Sequence, residues 1–90
     1  MQSSVAETLA LKALAFLADE DETIGRFLGS SGLYPQDLRE RLDDPTLLAA
    51  VLDFVLSDDK LLLAFARSEA VDPKLVHAAR RALPGGAPDL

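Results

Sequence analysis

The side chains that could carry chemistry in this chain are few, and they gather toward its C-terminal end. Lys74, His77 and Arg81 recur at helical spacing on one stripe, with Arg80 beside it. Phosphate oxygens and base edges require such a stripe of a recognition helix. Upstream, Ala66, Ala70, Val71, Val76 and Ala79 stand at spacings that resemble a DNA-binding helix-turn-helix. In that pattern a small residue is followed four positions on by a turn residue, then by apolar positions of the second helix. The first half offers Leu28, Gly32, Leu33, Leu38 and Arg41 in the same frame. Against a reading helix stand Glu69, where an apolar residue is preferred, and Asp72 at the helix mouth. Basic residues in a final turn are also favoured by the helix dipole alone. Structural helix–turn–helix packing is therefore the expected role of residues 65–81. Nucleic-acid contact through Lys74, His77, Arg80 and Arg81 is the alternative.

Catalytic groups are scarcer still. His77 is the only histidine, there is no cysteine, and no acid or serine stands at a recognisable spacing from it. A solvated histidine on a polar helical face is the expected outcome. The run Asp19-Glu20-Asp21-Glu22 invites a cation, but a calcium loop distributes its oxygen ligands over about 12 residues around an internal glycine. Carboxylates at a helix start instead accept backbone N–H bonds and meet the positive end of the dipole. Gly85-Gly86 is followed by no helix that could offer N–H donors to a phosphate. Tyr34, in a turn, is expected to lay its ring over a neighbouring helix, with a binding anchor as the other possibility. No catalytic, cofactor-binding or metal residue is expected.

The balance of charge bears on partners. The chain has 90 residues, 15 acids against 9 Lys plus Arg, and a net charge of −6. That surface repels nucleic acid and anionic membranes. Asp53, Asp58, Asp59 and Lys60 interrupt the longest apolar stretch, which a membrane span would need to run for about 20 residues. No basic region precedes the first apolar run, and Glu7 and Lys12 break it, so a secretory leader is not expected. A cytoplasmic location is the expectation.

The stretch around which the rest must fit runs from Pro45 to Ala66, and between Thr46 and Leu56 its only charge is Asp53. Leu48, Val51, Leu52 and Val55 form one stripe, and Leu47, Ala50 and Phe54 fill much of the remainder. A helix apolar nearly all round belongs in a core or against a partner. Before it the pattern predicts helices over Val5–Ala18, around Ile24–Leu28, and from Pro35 to about Leu42. After it come Lys60–Glu69 and Lys74–Leu83. Ser3 or Ser4 is a candidate cap for the first, and Gly32 suits a left-handed C-terminal position. The tail 84–90 is expected to be disordered.

The chain also repeats itself. Shifted by 38 residues, Thr8, Leu9, Leu14, Phe16, Asp21, Phe27, Ser30 and Pro35 fall on identical residues, and caps fall on caps. Two three-helix units, about 5–42 and 43–83, are expected to pack together, since neither alone could bury enough surface. The predicted fold is an all-α, compact orthogonal bundle of six short helices. Its core is expected to include Leu9, Phe16, Leu17, Ile24, Phe27, Leu38, Leu47, Val51, Phe54, Leu62, Phe65, Val76 and Leu83. Leu48 and Leu63 lie off the shared stripe and outsize their counterparts Ala10 and Gly25. They are the residues expected to remain exposed as a surface for a protein partner or for self-association.

The segments TLALKALAFLADEDETIGRFLGSSGLYPQDL and LLAAVLDFVLSDDKLLLAFA, with the closing ARRALPGG, resemble an uncharacterised family of short bacterial proteins, a domain of unknown function. The likeness spans about residues 8–86. It implies a bacterial, cytoplasmic helical protein and brings no assigned activity, cofactor or site. The function expected from the residues is a non-catalytic interaction module or small homodimer.

Overall fold

Aspartate and proline set where the helices begin. A computed structural model describes residues 1–85, which form α1 (Ser3–Ala18), α2 (Asp21–Ser31), α3 (Pro35–Glu40), α4 (Pro45–Leu56), α5 (Asp59–Glu69) and α6 (Pro73–Arg81). No strand occurs among the described residues. Asp44, Asp58 and Asp72 cap α4, α5 and α6, each carboxylate accepting the backbone N–H two residues on at 2.9 Å. Pro45 and Pro73 follow as first helical residues, where a missing N–H costs nothing.

Two of the expected caps are not used. Ser3 and Ser4 lie inside α1, which starts after Gln2, and the Ser4 carbonyl accepts the Thr8 hydroxyl at 3.0 Å. Glu20 precedes α2 without a side-chain bond to it, so the acidic run acts there through charge alone, with Asp21 and Glu22 in the first turn.

The helix ends show the same local logic. α2 closes on Gly32 at φ 74°, as its position predicts. α5 closes on Ala70 at φ 55°, the one non-glycine with positive φ among the described residues. A Cβ in that region costs roughly 1–2 kcal/mol, and packing of the flanking helices has to offset it. α3 stops at Glu40 rather than Leu42. Arg41 leaves the helical backbone and donates to the Asp44 carboxylate at 3.0 and 2.7 Å. That guanidinium, joined by the Thr46 N–H, holds the Asp44 carboxyl below its ordinary range. α6 ends at Arg81, two residues short of the expected Leu83.

The core is built on α4, which buries Leu47, Leu48, Ala49, Val51, Leu52 and Val55. α1 meets it most extensively and presents mostly small residues, Ala6, Ala10 and Ala13, together with Leu14 and Leu17. α6 lies against both, inserting Val76 and Ala79. Phe27, Leu62, Phe65 and Leu83 complete the cluster. Of the expected core, Leu9, Phe16, Ile24, Leu38 and Phe54 sit half-buried at its edge and the rest are inside. Two aromatic pairs tie the chain's halves together: Phe16 with Phe65 at 5.5 Å between ring centroids, and Phe27 with Phe54 at 5.4 Å. Arg26 stands over the Phe54 ring, 5.8 Å from its centroid. The radius of gyration is 12.1 Å, about that of a folded domain of this length.

Pro84 and Gly85 are held rather than loose. Arg80 donates to their carbonyls at 3.1 and 3.0 Å. The rest of the tail expected to be disordered, 86–90, lies outside the described residues.

Candidate interaction groove

α1 turns its alanines to the core and leaves larger side chains on its shoulder. Val5 and Leu9 stand four residues apart on one face beside the buried row Ala6, Ala10 and Ala13, and Met1 precedes the helix. α6 does the same. Val76 and Ala79 point inward while Leu75 is left at the edge. The turn between α5 and α6 adds Val71, whose N–H bonds the Ala66 carbonyl at 2.9 Å and so fixes the chain as it enters α6. Between the two shoulders lies an open cavity of about 420 Å³, walled by Met1, Val5, Leu9, Val71 and Leu75. Ser4, Thr8 and Lys12 form its polar rim along α1. The Lys12 ammonium lies 3.7 Å from the Glu69 carboxylate, an exposed pair worth little to stability.

The basic residues of α6 divide by face. At about 100° per residue, Lys74, His77 and Arg81 form a stripe opposite the buried Val76 and Ala79, and Leu75 lies 100° or more round the helix from each of them. All three are exposed, and none makes an ion pair or side-chain hydrogen bond among the described residues. Arg80 points elsewhere. Its Nε donates to Asp53 at 2.5 Å, and with the Pro84 and Gly85 carbonyls this occupies the guanidinium, leaving the side chain 15% exposed. Arg80 is thus a structural clamp between α4, α6 and the chain's end, not a surface contact.

The expected partner residues also divide. Leu63 is 53% exposed on α5, as expected; Leu48 is 1% exposed and belongs to the core. The extra bulk of Leu48 relative to Ala10 has an internal use, because an alanine-faced α1 leaves room that α4 must fill. Gly25, the counterpart of Leu63, is exposed too, with nothing within 4 Å of where a Cβ would stand. Tyr34 does not lay its ring over a neighbouring helix; it is 71% exposed.

The groove itself is missing from the expected surface. Val5 and Leu9 look like inward residues in a periodic reading, and only the packing of α6 on α1 shows them as a wall. Their one sequence signal is the row of alanines beside them, small enough to take the core face instead.

No group of three or more His, Cys, Asp or Glu side chains suited to a metal occurs among the described residues. No helix there is long and apolar enough to cross a membrane. No buried polar or charged residue occurs there either. These features define a small all-α domain whose distinctive surface is an apolar groove. The chain belongs to the family described as Protein of unknown function (DUF3572), which matches residues 3–86. No curated protein and no solved structure matches it.

Proposed function

We propose that this chain is a non-catalytic, cytoplasmic protein-interaction module that receives its partner in the groove between α1 and α6. The supporting observation is that Met1, Val5 and Leu75 stay about half exposed around an apolar cavity of about 420 Å³. Apolar grooves between helices receive amphipathic helices through side chains at i, i+3 and i+4. A photo-reactive residue at position 75 should therefore yield discrete protein adducts in the native cell, and one at exposed position 63 should not. Adducts from 63 alone would move the surface to α5. The same pattern from both positions would remove the groove from the argument. The nucleic-acid reading keeps Lys74, His77 and Arg81 as exposed side chains but loses Arg80 to its internal bonds.

We further propose that residues 5–42 and 43–83 are copies of one three-helix unit. α2 and α5 span 21–31 and 59–69, and Pro35 and Pro73 each open the next helix. The left-handed residues Gly32 and Ala70 keep the same 38-residue offset. The ring pairs support the reading most strongly. Under the offset Phe16 corresponds to Phe54 and Phe27 to Phe65, so each pair is the image of the other. Such reciprocity is what a two-fold arrangement of equal units produces. α3 departs from its counterpart because Arg41 stands where α6 buries Ala79, and α3 buries nothing. Double-mutant cycles on the two ring pairs should return similar couplings, about 0.5–1.5 kcal/mol each. A coupling confined to one pair would deny the reciprocity any energetic meaning.

A further inference from the structure

We infer that residues 33–43 form a lid on the core, hinged at Gly32 and Asp44, which opens as one unit while α1, α2, α4, α5 and α6 stay folded. The inference is independent of the groove and concerns α3. No residue of α3 is fully buried, whereas α6, which also opens on a proline, buries Val76 and Ala79. The hold of the segment on the core is apolar and slight, with Leu33 and Leu38 resting half-buried against the cluster. Its polar bonds all stay local. The Leu33 N–H donates to the Ser31 hydroxyl at 3.4 Å, the Tyr34 N–H to the Asp37 carboxylate at 2.8 Å, and Arg41 to the Asp44 carboxylate. Among the described residues, no hydrogen bond or ion pair joins 33–43 to anything outside 31–44. α6, by contrast, is fastened to α4 by Arg80 and Asp53, 27 residues apart in the chain. Both hinges are suited to turning. Gly32 sits at φ 74° with nothing within 4 Å of where a Cβ would stand. At the other end Arg41 has left the helical backbone, and its guanidinium latches onto one Asp44 oxygen while the second oxygen caps α4. A segment with few buried contacts and only local bonds opens at low free energy. Opening would uncover the apolar surface beneath Leu33 and Leu38.

Native-state hydrogen exchange tests this, read residue by residue by NMR over a series of urea concentrations below the unfolding transition. The Arg41 amide, bonded to the Asp37 carbonyl at 3.0 Å, reports the lid. Its protection should be about 10- to 1,000-fold, as for an open state populated at roughly 0.1–10%. The neighbouring α3 amides should share that value, and urea should barely change it, because a small opening exposes little surface. Amides of α4 and α6 should be far better protected and should follow global unfolding. Arg41→Ala removes the latch and keeps the α4 cap. It should speed exchange in α3 about two- to fivefold and leave α4 and α6 unchanged. Leu38→Asp should hold the lid open, abolishing protection in α3 while α4 and α6 keep theirs. An Arg41 amide that follows the same urea dependence as α4 would put α3 inside the cooperative core and overturn the inference. Unrelated rates for the separate α3 amides would overturn it in favour of simple fraying. Loss of α6 protection in Leu38→Asp would overturn it as well, since the rest of the fold would then depend on α3.

Discussion

Phe65→Ala is expected to lower the unfolding free energy by about 3–5 kcal/mol, the usual cost of truncating a buried aromatic. Phe65 is fully buried, its ring faces Phe16 at 5.5 Å, and it anchors α5 in the core cluster. Each kcal/mol lost shifts the midpoint by about 4–8 °C in a domain of this size, and the whole stability of such a chain is about 5–15 kcal/mol. The variant should therefore melt far below the parent in circular dichroism, or be partly unfolded before heating begins. Phe54→Ala should cost less than Phe65→Ala, because its ring is half-buried and faces Arg26 on one side. Equal melting points for parent and Phe65→Ala would mean that α5 is not anchored as described.

Ala10→Leu tests the opposite kind of failure. Ala10 is fully buried on α1, between Ala6 and Ala13, and α1 packs against a helix that already supplies three leucines and two valines. Three added carbons have no space there without displacing α4, so overpacking of about 1–3 kcal/mol is expected. The substitution raises the helix's apolar content, and a bare periodicity argument would rank it harmless or stabilising. A urea midpoint equal to or above the parent's would show that the two helices leave room between them. The alanine face would then not be what fixes their separation.

The starts of α4, α5 and α6 were legible because their causes are local. Asp44-Pro45, Asp72-Pro73 and Asp58 each act on the next few backbone groups whatever the rest of the chain does. Gly32 was legible for the same reason, since only a residue tolerant of positive φ suits that end. The rotation of α1 was not. An apolar stripe drawn through Val5, Leu9, Ala13, Phe16 and Leu17 turns out shifted to Ala6, Ala10, Ala13, Leu14 and Leu17. Alanine carries little weight in a hydrophobic pattern, yet it lets helices pack closely. That shift exposes Val5, creates the groove and buries Leu48, so both errors about the partner surface share one cause. Arg80 shows a different limit. Its place on α6 is plain from spacing, but its role depends on Asp53, which only folding brings near.

The exchanged ring pairs also bear on how this protein is made. A ribosome delivers α1 and α2 first, with Phe16 and Phe27 already in place but neither ring covered. Phe27 must wait for Phe54, and Phe16 must wait longer, for Phe65. Until α4 has emerged, the nascent first half carries both aromatic faces without partners, and Phe16 keeps its face uncovered until α5 follows. The acidic run Asp19–Glu22 lies between those two rings in the chain and gives the waiting segment a charge that discourages contact with its neighbours. The native ring pairs of the first half are thus complete only once α5 is available.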